Sequence, residues 1–168
     1  MSSLCGQHCI NNLVQGAHYS APDLAEIAHE LDAQERAHML SEGANTPDAL
    51  RFLGEDSGNV DEAGNFSVQV LNAALNRLYG LHLVSAGSEL VGGQINTTGY
   101  GREGAFVLNR HAHWIAIRCV GGAYWDLNSM LDYPSKRFCF VYQRLFLSEN
   151  VVIGRRIDLR YSLFFVRL

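Results

Sequence analysis

The chain changes its hydrophobic period once, near Gly80, and that switch restricts the fold more than any other feature. Upstream, apolar residues recur at helical spacing. Leu24, Ile27, Ala28 and Leu31 fall at i, i+3, i+4 and i+7, and Val68, Leu71, Ala74, Leu75 and Leu78 repeat the pattern. Downstream, short β-branched and aromatic runs take over at residues 81–84, 105–108, 114–119, 124–128 and 161–166. Helices first and strands afterwards predict an α+β domain with an antiparallel sheet, not a βαβ repeat. With 168 residues, 48% of them hydrophobic, one chain can bury one core, so residues 1–168 read as a single domain.

Local signals place the elements. Residues 5–15 read as a helix ended by Gly16, with Cys9, Ile10, Leu13 and Val14 inward. Ser20-Ala21-Pro22-Asp23 supplies a hydroxyl cap, an early proline and an acid for a second helix, which Gly43 closes. Thr46-Pro47-Asp48 opens a short third helix carrying Leu50, Phe52 and Leu53. Residues 32–53 are thinly hydrophobic and predict a helical hairpin projecting from the core. A loop over 54–65 and a helix over 67–79 capped by Gly80 follow. Residues 105–168 form mainly a sheet subdomain, with a surface loop at 85–103 before it and a helix near 138–147 within it.

Composition excludes several functions. A net charge of -4, with no basic run longer than Arg155-Arg156, argues against a nucleic-acid partner. No apolar run approaches membrane-spanning length, and the start has no signal-peptide pattern. Four scattered cysteines (Cys5, Cys9, Cys119, Cys139) read as reduced thiols of an intracellular protein, in nucleus or cytoplasm. Of these, Cys9, Cys119 and Cys139 read as buried apolar residues. No Gly-rich phosphate loop follows a strand, so no nucleotide cofactor is expected. His111-Ala112-His113, or Cys5 with His8 and Cys9, could offer metal ligands. Without a CxxC pair neither makes a closed four-ligand site, and no metal is expected.

One chemical constellation stands out. Cys5 lies where the first helix begins, and a helix N-terminus favours a thiolate. His113 begins one strand and Asn128 ends the next, with Gly121-Gly122 between them. A two-residue turn at those glycines pairs Val120 with Ala123 and sets His113 diagonal to Asn128; a turn at Val120-Gly121 sets the two directly opposite. Either register leaves both side chains on one face, about 5–8 Å apart at the backbone, whereas a three-residue loop would separate them. A thiol, an imidazole to take its proton and an amide to orient the ring make a nucleophilic hydrolase. Trp114 reads as a wall shielding the His113–Asn128 pair, and Asp126 as a strand-end carboxylate, the alternative being a carboxylate that supports the pair.

Ser3-Leu4-Cys5-Gly6-Gln7-His8-Cys9-Ile10-Asn11-Asn12-Leu13, His113-Trp114 and Trp125-Asp126-Leu127-Asn128-Ser129 resemble the three signature blocks of the Josephin domain. Ser57-Gly58-Asn59, Phe66-Ser67-Val68-Gln69-Val70 and the helical segment 24–53 resemble its ataxin-type branch. The resemblance covers nearly the whole chain, with residues 85–103 and 148–160 matching poorly. It implies a papain-like cysteine-protease fold and hydrolysis of ubiquitin or polyubiquitin conjugates. Cys5 would be the nucleophile, His113 the general base and acid, and Asn128 its orienting partner. It further implies ubiquitin contacts at Val68, Gln69 and Tyr79, and a second contact surface at Tyr19. Residues 32–53 would gate the cleft.

The family also carries a glutamine shortly before the nucleophile that helps to bind the oxyanion, and Met1-Ser2-Ser3-Leu4 contains none. Losing one such donor costs about 100- to 1000-fold in rate, so a ubiquitin-binding module of the same fold with weak or no activity is the alternative reading. A metal-binding or scaffold protein with an inert Cys5 is a third. Oligomeric state is left open.

Overall fold

The computed structural model describes residues 4–43, 54, 57–61, 64–85, 104–110, 112–137 and 161–167. They hold three helices, α1 (Cys5–Val14), α2 (Ala21–Gly43) and α3 (Val68–Tyr79). Six strands follow: β1 (His82–Ser85), β2 (Ala105–Arg110), β3 (His113–Val120), β4 (Ala123–Asp126), β5 (Ser135–Arg137) and β6 (Tyr161–Arg167). The expected elements at 44–53 and 138–147 lie outside the described residues.

Local hydrogen bonds mark several of the helix ends. α1 ends one residue earlier than its glycine suggests, because Gln15 takes the left-handed conformation, with φ 58°, and its N–H returns to the Asn11 carbonyl. Asn11 then holds the next turn: Oδ1 accepts from the N–H groups of His18 and Tyr19, and Nδ2 donates to the Tyr19 carbonyl. A Cβ at Gly16 would meet the exposed His18 ring, which would have to swing aside. At the start of α2, the Ser20 N–H and hydroxyl both donate to the Asp23 carboxylate, which holds that acid below the usual range. Ser67 caps α3 by accepting from the Val70 N–H, and Gly80 ends it at φ 65°.

α2 buries Leu24, Ile27 and Ala28 and then leaves the core, so residues 33–38 are all exposed. α2 continues as one helix through the first part of the expected 32–53 hairpin, whose second part lies outside the described residues. Where α2 departs, Asn59 donates from Nδ2 to buried Asp32 and accepts from the Ser67 hydroxyl at Oδ1, joining α2, the loop and α3. Arg77 pairs with Glu30 between the two helices at the surface.

The strands form a six-stranded antiparallel sheet in the order β1-β6-β2-β3-β4-β5. It is wider than residues 105–168 alone would make it, because β1 joins its edge. β5 was not foreseen: Ser135-Lys136-Arg137 carries no apolar alternation and is ordered by the edge of β4. Gly121 and Gly122, with φ 58° and 75°, form the β3–β4 turn with Val120 opposite Ala123. The turn selects the first of the two registers considered.

Residues alternate between sheet faces. Val107, Trp114 and Ala116 face the helices and share a core with Cys9, Ile10, Leu24, Leu71 and Leu75. Phe106, Ile115, Ile117 and Tyr124 are buried on the other face, with the Phe106 and Tyr124 rings 5.5 Å apart. α1 is fastened to the sheet by two hydrogen bonds. Arg118 Nη1 donates to the Leu13 carbonyl at 2.8 Å, and Asn12 Nδ2 donates to the Leu127 carbonyl at 2.9 Å.

Candidate active site

Cys5 is the first residue of α1, and the N-cap Leu4 offers no side-chain cap. No acidic residue occupies the first turn. A helix start leaves N–H groups without intrahelical partners and carries the positive end of the helix dipole, and Cys5 lies at that terminus of α1. Cys5 is buried, at 2% exposure, and its Sγ lies 3.9 Å from the carbonyl oxygen of Ala112. Glycine at position 6 lets this turn pack closely, since a Cβ there would stand 3.2 Å from the ring of Phe66, just before α3, and 3.5 Å from Leu71 within it.

The residue after Ala112 is His113, half-buried at the start of β3. β2 and β3 join through only residues 111 and 112, with Arg110 opposite His113, and Ala112 takes a left-handed φ of 58° to close the turn. The chain therefore brings His113 to the end of the sheet where α1 begins.

His113 Nε2 and Asn128 Oδ1 are 2.8 Å apart. The direction of this bond follows from a neighbour. Asn128 Oδ1 also lies 3.0 Å from the Met130 N–H, which can only donate, so the contacting atom is the amide oxygen, which can only accept. Nε2 must then carry the hydrogen. In the neutral ring Nδ1 remains as the basic nitrogen. Asn128 lies two residues past the end of β4, not within a strand, and is held there by Asp126. That buried carboxylate accepts from the Asn128 N–H at 3.1 Å, so its place is beneath the site and not merely at a strand end. The Asp-x-Asn spacing was the available sequence signal.

Trp114 does not wall the pair. It points to the helical face, donates from Nε1 to the Phe66 carbonyl at 2.8 Å and packs 6.1 Å from the Phe164 ring. Burial raises the Cys9 thiol far above its ordinary value, with Cys5 a second cause, and keeps it protonated in the core. Cys119 is only half-buried, and Cys139 lies outside the described residues. Among the described residues no three His, Cys, Asp or Glu side chains gather as a metal site.

The residues expected to touch a substrate are spread along α3 and the α1–α2 turn. Val68 and Gln69 are in the first turn of α3, Val68 packed against the core and Gln69 exposed. Tyr79 ends the helix with 48% exposure, its hydroxyl 3.3 Å from His18 Nε2 and the two rings edge to face. Tyr19 is half-buried and donates its hydroxyl to the Ala74 carbonyl at 2.9 Å; burial raises its pKa, against a smaller lowering by Arg77. A cleft of about 510 Å³ is lined by Leu13, Val14, Tyr79, Leu81, Arg118 and Cys119 among others. It opens at the far end of α1 from Cys5 and holds none of Cys5, His113 or Asn128.

A cysteine-bearing helix laid against an antiparallel sheet whose hairpin presents a paired histidine and asparagine has the architecture of the papain-like class. The Josephin family profile matches residues 1–157. Ataxin-3 of Rattus norvegicus is 38% identical, over 98% of this chain and 44% of its own length. The ataxin-3 homolog of Arabidopsis thaliana is 38% identical over 79% of this chain and 47% of its own. That of Caenorhabditis elegans is 31% identical over 99% and 47%. The chain spans a little under half the length of these relatives. It belongs to the Josephin family, a papain-like family of cysteine-type deubiquitinases.

Proposed function

We propose that this chain is a thiol peptidase that cleaves peptide or isopeptide bonds at the C-terminus of ubiquitin, with Cys5, His113 and Asn128 as its catalytic residues. The observation that carries the reading is the His113–Asn128 bond at 2.8 Å, beside a helix-initial Cys5 whose sulfur lies against the carbonyl of residue 112.

Asn128 holds Nε2–H, so Nδ1 takes the Cys5 proton. The thiolate attacks the carbonyl carbon, and the resulting oxyanion is met by N–H groups of the first turn of α1. Collapse expels the amine, which takes the proton from His113. Water, deprotonated by the same ring, then attacks the thioester, frees the ubiquitin carboxylate and restores the thiol. Val68, Gln69 and Tyr79 offer ubiquitin a surface along α3, Tyr19 borders a second one, and the arm 32–53 gates the approach. Polyubiquitin or ubiquitin conjugates are the partners, in nucleus or cytoplasm.

The test is steady-state hydrolysis of a ubiquitin C-terminal fluorogenic amide. Cys5→Ala abolishes turnover, and His113→Gln lowers kcat by about 100- to 10,000-fold, the range for loss of a general acid–base. Turnover that survives Cys5→Ala contradicts the proposal.

A further inference from the structure

The His113–Asn128 pair sits on the sheet, and the nucleophile sits on α1. Something must hold one against the other. Asn12 lies seven residues after Cys5, two turns along the same side of α1. Its Nδ2 donates to the carbonyl of Leu127, the residue immediately before Asn128, at 2.9 Å. A carbonyl can only accept, which fixes the amide's orientation. The Leu127 N–H in turn donates to the Ala116 carbonyl on β3 at 2.9 Å, and the Asn128 N–H to Asp126 at 3.1 Å. β4 has already ended at Asp126. Beyond the ladder, then, the backbone approaching Asn128 is fixed by three bonds, and one of them comes from the helix that carries Cys5.

We propose that Asn12 is a positioning residue, which sets the register of the Cys5 helix against Asn128 and thereby keeps the His113 ring able to ionise the thiol. This rests on the catalytic reading above. Arg118 provides the natural comparison, because it also ties α1 to the sheet, but through the Leu13 carbonyl and from a β3 position paired with Trp125.

The experiment follows the rate of Cys5 alkylation by iodoacetamide in the native protein between pH 5 and 9, by peptide mass spectrometry, beside thermal unfolding. It needs no ubiquitin. Asn12→Leu keeps the volume, adds no charge and removes the donor. Asn12→Ser is a milder variant whose hydroxyl falls short of the carbonyl. Both are expected to slow alkylation at pH 6 at least tenfold and to move the profile to higher pH. Arg118→Met loses stability with the wild-type profile kept. If the Asn12 variants are destabilised but keep the wild-type profile, or if Arg118→Met shifts it equally, Asn12 is only a packing contact and the inference is overturned. A wild-type Cys5 with no thiolate character at pH 6 overturns the catalytic reading and this inference together.

Discussion

Ala112 is exposed, carries a Cβ and has φ 58°, a conformation that disfavours every residue with a side chain except in a forced turn. The turn that forces it delivers His113, so the strain lies next to the proposed base. Ala112→Gly relieves it and is expected to stabilise the fold by about 1 kcal/mol in chemical denaturation. A loss of stability would show that the turn is not strained. Four residues along α1 from Cys5, Cys9 behaves oppositely to a nucleophile. Burial raises its thiol above the ordinary 9.0. The native chain keeps a proton that the unfolded chain releases, so this contribution is intact below pH 9 and shrinks as pH rises. The loss is up to about 1.4 kcal/mol per pH unit. Below pH 9, iodoacetamide is expected to spare Cys9 in the native protein and to label it in urea; labelling at equal rates in both would contradict its burial.

Elements here are joined by short polar links, and these decide which parts of the sequence can be read. Ser67 both caps α3 and donates to Asn59, itself bonded to buried Asp32. Ser67→Ala removes the cap and strands a buried amide oxygen, and is expected to cost about 1–3 kcal/mol in urea unfolding. A change below 0.5 kcal/mol would mean that water replaces the hydroxyl. α3 was legible because its cap, apolar stripe and terminal glycine all agree. The end of α1 was not, since the left-handed residue is Gln15, one before the glycine, in a turn held by three bonds to the Asn11 side chain that no local pattern announces. β5 was illegible because its pairing comes from a neighbour and not from its own pattern. The Gly121-Gly122 turn could be foreseen, but its register could not, because both candidate turns leave the same side chains on the same face.

At the scale of the molecule, the order of helices and strands made the α+β architecture readable, and parity put His113 and Asn128 on one face provided the glycine turn held two residues. What parity could not supply was the relation between layers. Only the folded chain shows that Cys5 meets Ala112, that Trp114 serves the interlayer core and that Asn12 reaches Leu127. These are contacts between segments more than forty residues apart, and no local pattern encodes them. They also locate the proposed chemistry at the seam between α1 and the β2–β3 and β3–β4 hairpins. The most direct test of that placement is labelling with ubiquitin bearing a C-terminal electrophile, followed by peptide mapping. One covalent adduct at Cys5, lost in Cys5→Ala, is the result expected; an adduct at Cys9 or Cys119, or labelling that persists without Cys5, would contradict it.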